Sequence, residues 1–531
     1  MGMLEIASRE PFSLIKLSEI ASKQEIELQF LEQIFAKLKK SGLVEAVRGP
    51  GGGYRLTKNA GEIFITEIIK SVEEDIKITR CANQLHHKDG CMSFSGTMCV
   101  AHHLWADLEN QIEDYFSSKT LFDVQNRFVL KKPILNQIYF DHNATTTLLP
   151  EVREGLMELY QYPLNPSSIH ASGRAAKYYL EKARHRVREL IKADMNYNVV
   201  FTASGTEANN LAILGIKNIN PLISTIEHPS IANLVSHAVV KISKNGVIDL
   251  DELEKILDLC KDKRSLVSIM LANNETGVIQ PIKEVVELAK KNNAIVHTDA
   301  VQCPGKILVD IEDLGVDMMT ISAHKFGGPI GAAALIYKKN IDLQPIIIGG
   351  GQEYRIRSGT HNIQAIHGFG IACSVEEKYR ELMKKTSAIR DYIEDNIEQL
   401  SEKVIFFGKD ATRLPNTSSI GMPNVSAESQ MIHFDTNGIA ISNGSACSSG
   451  SSKQSHVHMS MGYSSEETKT AIRVSLGINN TYDEADQFIH AWKDLYARSN
   501  SMMDNRSSNL DYSLTTSDGY KKNQFNKEIR L

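Results

Sequence analysis

No run of about eighteen apolar residues occurs in the chain, so no segment has the length of a helix that spans a bilayer. The N-terminus also lacks the charged-then-apolar pattern of a secretory signal. The sequence therefore predicts a cytosolic protein with no membrane partner. Positive charge is not in excess either: 59 Lys and Arg against 64 Asp and Glu leave a net charge of −5. That balance predicts no general affinity for nucleic acid, while leaving room for a local basic face. Even-numbered cysteine pairing is missing too. The seven cysteines are odd in number and partly clustered, which in a reducing compartment favours metal binding or catalysis over disulfides. What remains is an ordinary globular composition, 42% hydrophobic and 23% charged, in a 531-residue chain too long for a single hydrophobic core.

The first part alternates two helical patterns with a hairpin. Leu14, Ile15, Leu17, Ile20 and Ala21 can bury one face of a short helix, and Leu28, Leu31, Ile34, Phe35 and Leu38 recur at helical spacing in a second. The second pattern stops at Lys39-Lys40-Ser41-Gly42, basic residues over the carbonyl end and a glycine where the chain turns. Leu43–Arg48 and Tyr54–Thr57 then read as strands around a Gly-Pro-Gly-Gly-Gly loop. The arrangement is a helix-turn-helix with a wing, and it suits DNA binding or a small dimerisation module. The wording LEQIFAKLKKSGLVEAVRGPGGGYRL, Leu31 to Leu56, closely resembles winged-helix regulators of the IscR type. That resemblance implies a double-stranded DNA partner, contacts near Glu27–Gln33, a wing at Arg48–Tyr54, and Arg48 and Lys39 on phosphates. Family members begin with a longer basic helix where this chain has Met1 to Pro11.

Glu62–Val72 reads as a further helix, followed by Cys81, Cys91, Cys99 and His102. Thiolates with an imidazole can hold iron-sulfur or zinc, and both fit this spacing; three reduced structural cysteines are the alternative. In the IscR-type family three cysteines and a histidine bind an iron-sulfur cluster, and CVAHHLWADL, Cys99 to Leu108, matches the end of that site. The resemblance implies His102 as fourth ligand, with His103 the runner-up, and favours a [2Fe-2S] cluster. Leu104–Phe116 has the pattern of the helix that pairs such regulators, and Ser117–Gln137 has no sustained pattern. The expected division is a winged-helix domain over 1–117, a linker over 118–137, a second domain over 138–497 and a disordered tail over 498–531, the last because Ser, Asn and Asp dominate it.

From Ile138 short apolar strands alternate with amphipathic helices. Val199–Phe201, Leu222–Thr225, Val267–Met270, Ile295–Thr298 and Met318–Ile321 are the strand candidates, and Ile282–Lys291 is one of the helices. This predicts an α/β fold with a mostly parallel sheet and ligands at the C-terminal strand ends. Chemistry falls at those ends. Thr202-Ala-Ser-Gly-Thr206 opens a helix whose free amides suit a phosphate. Asp299 can pair with a protonated pyridine nitrogen, and Gln302 can reach the ring oxygen. His228 can stack on a ring or move protons. Lys325, in SAHKFGGP, is placed to form a Schiff base with an aldehyde cofactor. Taken singly, each has a bland reading: a capped helix, a structural histidine, a solvated lysine. Together they are the parts needed to bind pyridoxal 5'-phosphate.

YFDHNATT, NPSSIH, TASGTEANN, ANNETG, HTDAVQ, SAHKFGGP and RSGT, in that order from Tyr139 to Thr360, resemble the cysteine desulfurases of the NifS/IscS type, class-V aminotransferases. The likeness covers Ile138 to about Trp492. It implies the aspartate aminotransferase-like fold with a small C-terminal α/β domain, and a homodimer. Gly205, Thr206, Ser322 and His324 would hold the phosphate, with Thr360 offered across the dimer. Asn274, Asp299, Gln302 and His228 would surround the ring, Lys325 would carry the cofactor, and Arg473 and Asn165 would bind the substrate L-cysteine.

A nucleophilic cysteine separates a desulfurase from an ordinary aminotransferase. Cys447 stands in SNGSACSSGSS, a run too small and polar to pack rigidly. It matches the family's SACSSGS wording, although Ser452-Lys-Gln replaces the usual Leu-Glu-Pro. Cys260, Cys303 and Cys373 have no such context and read as core or structural residues. The resemblance thus implies conversion of L-cysteine to L-alanine with a Cys447 persulfide, passed to an iron-sulfur scaffold protein, in a chain fused to a cluster-sensing DNA-binding domain. The rival expectations are a selenocysteine lyase and a transcriptional regulator whose second domain is an idle sensor.

Overall fold

The computed structural model describes residues 2–7, 14–24, 26–47, 49, 52–72, 112–114, 116–128, 137–235, 239–261, 264–443 and 454–515. Its contacts divide the chain into two compact units, Met1–Asn136 and Gln137–Leu531. Cys81, Cys91, Cys99, His102, Arg48 and Cys447 lie outside the described residues. So does most of the expected Leu104–Phe116 helix.

In the first unit, helices Leu17–Gln24 and Leu28–Lys40 precede an antiparallel hairpin of β1 (Val44–Val47) and β2 (Gly53–Leu56), with Val44 opposite Leu56. Leu31, Phe35 and Leu38 share one buried helix face, the three-and-four spacing that the sequence displays. The helix stops at Gly42, whose φ of 72° few other residues adopt, and Leu43 N–H closes back on the Leu38 carbonyl. Ile15 and Tyr54 exchange two backbone hydrogen bonds beside the hairpin. A Cβ at Gly53 would come within 2.5 Å of the Ile15 carbonyl oxygen, so glycine is required there. The first residues also form a helix, Gly2–Ala7, which buries Met3 and Ile6.

Residues assigned from the sequence to a linker are partly structured. Leu121–Phe128 is a helix, and Leu121 is buried in the first unit's core. Its start carries a reciprocal cap: Thr120 N–H donates to the Asp123 carboxylate, and Asp123 N–H donates to Thr120 Oγ1. The signal was therefore the Thr-x-x-Asp spacing rather than a long apolar period.

The second unit is built on a seven-stranded sheet. In chain order its strands are β4 (Tyr197–Thr202), β5 (Asn220–Ser224), β6 (Val239–Val240), β7 (Ser265–Ser268), β8 (Ile295–Asp299), β9 (Met318–Ser322) and β10 (Ala333–Lys338); β3 (Ile138–Tyr139) lies outside it. The spatial order is β4-β10-β9-β8-β7-β5-β6, with only β10 antiparallel to its neighbours. Successive residues bury opposite faces. Val199 and Phe201, Val296, and Met319 and Ile321 enter one core; Val200, Ile295 and Met318 enter the other. Continuous apolar strands follow from this two-sided burial.

A smaller layer joins β11 (Ile405–Phe406), β12 (Thr417–Gly421) and β14 (Ala471–Ser475), while β13 (Ile439–Ala440) pairs in parallel with β3. Its core takes Ile389, Ile393 and Ile397 from helix Ile363–Glu398 and Phe488 and Trp492 from helix Tyr482–Thr515. That last helix corrects the expected tail boundary at 498: the backbone stays helical to Thr515. No glycine or proline occurs between residues 498 and 515 to stop it. Among the described residues no helix is long and apolar enough to cross a membrane.

Candidate active site

The C-terminal ends of β4, β8 and β9 and the loops after β5 and β7 open on one cavity of about 330 Å³. Its wall includes Gly205, Thr206, His228, Asn274, Asp299, Gln302, Ser322, His324, Lys325 and Arg473. The sequence thus places ten expected residues in one site, drawn from segments up to 268 residues apart, 205 to 473.

At one end the chain leaves β4 and enters helix Gly205–Leu214, where Ser204 Oγ accepts from Glu207 N–H at 3.2 Å. That cap leaves the amides of Gly205 and Thr206 at the cavity, on the positive end of the helix. A Cβ on Gly205 would come within 3.0 Å of the Val301 side chain, so glycine keeps this cup open. Ser322 and His324 face the same cavity. Burial, then the Lys325 charge, pushes the His324 pKa down to about 4. Its imidazole is neutral near pH 7, a hydrogen-bonding group rather than a charge.

Asp299 ends β8 and is buried. Its Oδ1 accepts from Val301 N–H at 2.9 Å, and its Oδ2 accepts from Asn209 Nδ2 at 2.7 Å. Asn209 also donates to Ser230 Oγ, which lies 2.8 Å from His228 Nδ1. Ser230 N–H donates to that same Nδ1, which places the neutral ring's proton on Nε2. Burial lowers the His228 pKa, with Lys325 adding to the effect and Asp299 opposing it.

Lys325 follows β9 on a tight turn, and its Nζ donates to the Asn143 carbonyl at 2.6 Å and the Ala144 carbonyl at 2.9 Å. Arg473, on β14, donates from Nη2 to Asp141 at 2.6 Å and from Nη1 to the Asn274 carbonyl at 3.1 Å. Its Nε is buried without a hydrogen-bond partner. Residues 444–453, which contain Cys447, are flanked by anchored chain. Ser442 exchanges backbone hydrogen bonds with Arg473, and Ser455 Oγ donates to buried Glu275 at 2.6 Å.

Two expected residues do not reach this cavity. Asn165 is exposed and accepts from Ser167 N–H, a turn of its own. Thr360 is exposed as well. Asn143, Asn209 and Ser230, which carry no role in the sequence-based expectation, line the site as well. The first two sit inside quoted motifs, so their polar type was visible and their direction was not.

The model of the aminotransferase class-V family matches residues 138–488. The chain belongs to the class-V aminotransferases. Residues 2–127 match Rrf2, the iron-dependent transcriptional regulator family, as an N-terminal domain. The class-V part is 37% identical over 366 residues to the cysteine desulfurase IscS of Dictyoglomus turgidum, covering 66% of this chain and 91% of that protein. It is 36% identical over 380 residues to cysteine desulfurase IscS 1 of Archaeoglobus fulgidus, covering 68% and 98%. Among solved structures, a NifS-like protein from Rickettsia africae superposes with a TM-score of 0.63 at 39% identity, over 68% of this chain and all of that one.

Class-V membership supports pyridoxal 5'-phosphate as the cofactor, and the cavity has the chemistry to receive it. Helix-end amides with Ser322 and His324 suit a phosphate. Buried Asp299 takes only neutral N–H donors among the described residues, so it can accept a protonated ring nitrogen as its cation.

Proposed function

We propose that this protein is a cysteine desulfurase, converting L-cysteine to L-alanine and carrying the sulfur as a Cys447 persulfide. The observation that carries the reading is the convergence of Lys325, Asp299, His228 and Arg473 on one cavity, with the segment bearing Cys447 leaving and returning beside its wall. When bound, pyridoxal phosphate supplies an electron sink for the charge left by removal of the substrate's α-proton. Gly205, Thr206, Ser322 and His324 would hold its phosphate, Asp299 its ring nitrogen and Gln302 its ring oxygen, with Asn274 and His228 beside the ring.

Lys325 Nζ, aimed by the Asn143 and Ala144 carbonyls, removes the α-proton and returns a proton to the product. Arg473 binds the substrate carboxylate, its partnerless Nε being a donor held ready. The Cys447 thiolate attacks the substrate sulfur: an S–S bond forms, the C–S bond breaks, and the carbon takes a proton to become alanine. The persulfide then passes to an iron-sulfur scaffold protein.

The same reading makes the protein a cytoplasmic homodimer in which Thr360 completes the partner's phosphate site. Exposed Ile347, Ile348 and Tyr354 beside that segment support a covered surface. In the N-terminal domain, Cys81, Cys91, Cys99 and His102 hold an iron-sulfur cluster, [2Fe-2S] by the family resemblance, and the winged helix binds double-stranded DNA; the Rrf2 match supports both.

Alanine formation from L-cysteine by the full chain tests the desulfurase. Cys447→Ala is expected to lower turnover by at least two orders of magnitude while cofactor absorbance is retained, as loss of a nucleophile demands. Undiminished turnover refutes the persulfide route and favours a lyase. A wild-type protein that stays colourless with added pyridoxal phosphate refutes the enzyme. Anaerobic iron and sulfide analysis tests the cluster, and zinc alone refutes it.

A further inference from the structure

A second lysine stands behind the cavity wall. Lys306 lies four residues after Gln302 and is 4% exposed. Its Nζ donates to Gln302 Oε1 and to Asn143 Oδ1, both at 2.7 Å. It makes no ion pair among the described residues, so two neutral amides hold a buried amine. Burial, with Lys325 and Arg473 nearby, pulls its pKa down to about 7, and only the Cys303 thiol opposes this. The other ionisable group that senses it is His142, itself pushed to about 4 by burial and the Lys306 charge.

An ammonium has donors and no acceptor. Protonated Lys306 therefore faces the oxygen of each amide; for Asn143 it shares that role with Asn416 Nδ2, which donates to the same Oδ1 at 3.2 Å, and for Gln302 it is the one donor to Oε1 among the described residues. Gln302 then turns its Nε2 to the Asn143 carbonyl at 3.1 Å, on the side of the cavity. Asn143 turns its Nδ2 to Thr417 Oγ1 at 2.9 Å and the Asn274 carbonyl at 3.2 Å. The Asn143 backbone carbonyl so fixed is the one that receives Lys325 Nζ at 2.6 Å.

We propose that Lys306 is a positioning residue: it orients the Gln302 amide to donate to the cofactor's ring oxygen and locks the Asn143 carbonyl that aims Lys325. This rests on the reading of the cavity as a pyridoxal phosphate site. A donor at the ring oxygen stabilises its negative charge, so losing that donor raises the pH at which the lysine-bound cofactor changes its visible band.

The test uses the full chain loaded with pyridoxal phosphate and titrated by visible absorbance, with circular dichroism and cofactor content as controls. Lys306→Met has no donor, and its titration midpoint is expected to rise by about one pH unit, the scale of a lost hydrogen bond to a charged oxygen. Lys306→Gln keeps a neutral donor in the same place and is expected to recover most of that rise. A wild-type midpoint in Lys306→Met overturns the proposal. Equal rises in both variants also overturn it, because the lysine then acts through charge and not through orientation. If Lys306→Met does not fold, Lys306→Gln decides alone: a midpoint near wild type supports orientation, and a full-unit rise refutes it. A wild-type protein that takes up no cofactor fails at the earlier reading, and is told apart by its lack of any visible band.

Discussion

Asp299→Asn separates the proposed chemistry of Asp299 from any part it plays in folding. The new side chain is isosteric. Its oxygen keeps the hydrogen bond from Val301 N–H, now 2.9 Å. Its amide nitrogen replaces Oδ2 and faces Asn209 Nδ2, a donor against a donor at a present separation of 2.7 Å. Asn209 can relieve this by turning its amide over, because its Oδ1 is buried and makes no hydrogen bond. The turned oxygen then accepts from the new amide, while Ser230 Oγ, whose one proton faces His228 Nδ1, loses the hydrogen bond that it accepted from Asn209. Folding stability is therefore expected to fall by about 1 kcal/mol, the net value of one lost hydrogen bond. The bound cofactor meets a different change, since a carboxylate against a protonated ring nitrogen becomes a neutral amide. A hydrogen bond to a charged group contributes about 1.5–3 kcal/mol, and at about 1.4 kcal/mol per decade this is roughly a 10- to 150-fold fall in kcat. The assay is alanine formation at saturating L-cysteine, with cofactor content from absorbance and thermal unfolding in parallel. A kcat within about threefold of wild type at full cofactor occupancy would refute the role given to Asp299. A collapse in stability would show instead that Asp299 is held for the fold.

Glu227 is fully buried beside the site, and burial raises its carboxyl pKa from 4.5 to about 8. The stability that its protonated form contributes is present below the unfolded value and is lost as pH rises through about 8. Glu227→Gln keeps the acceptor for Ser224 and Met270 N–H, so its unfolding free energy, read from denaturation midpoints, should match wild type near pH 4 and exceed it near pH 9 by at most a few kcal/mol. Equal midpoints at alkaline pH would mean that the carboxyl titrates normally. Glu353 behaves with the opposite sign, because the Arg184 guanidinium holds its pKa down to about 2 against burial. That pair is bidentate, at 2.8 and 2.9 Å, and Glu353 also accepts from Phe201 N–H and His361. Glu353→Gln leaves Arg184 with the half-exposed Glu181 carboxylate, 3.2 Å from its Nε, as its remaining ion partner and should cost about 2–3 kcal/mol in urea unfolding near pH 7, less than a wholly unpaired buried charge. The loss should shrink as pH falls toward the native carboxyl's own pKa, and a pH-independent cost would contradict the ion pair.

The sheet of the second unit was legible because its strands are buried on both faces, which leaves short apolar runs bounded by polar turns. The strand β10 is not marked in the sequence, since Ala333–Lys338 runs antiparallel between β4 and β9 and carries no motif. The cavity was legible for a different reason: parallel strands deliver their C-terminal ends to one side, so residues such as Thr206, Asp299 and Lys325 were expected together before any distance was known. Side-chain direction was not legible. Asn143 and Lys306 both lie in or near recognised motifs, yet that Lys306 faces inward depends on Gly305. That residue has a φ of 77°, and a Cβ there would approach Phe326 Cβ to 2.7 Å. The helix Leu121–Phe128 was missed because two turns of chain carry too few apolar positions to establish a period, and its two-residue cap was the remaining signal.

Charge explains why so many neutral partners surround the site. Burial first, and then the Lys325 charge, lowers the pKa of His228, His324 and Lys306 alike, and Arg473 adds to the last. The two histidines therefore act at neutral pH as hydrogen-bonding rings, and they leave the cation side of the cavity to Lys325 and Arg473. Asp299 stands apart as the buried carboxylate of the wall, held by N–H donors rather than by an arginine or lysine. If Lys306 were held by a carboxylate instead of by Asn143 and Gln302, that anion would lie close behind Lys325 and weaken the field that attracts a phosphate and a substrate carboxylate. Amide acceptors satisfy the buried amine without adding a charge. The same choice fixes the direction of Gln302, so the electrostatics of the cavity and the aim of its hydrogen bonds follow from one arrangement of residues.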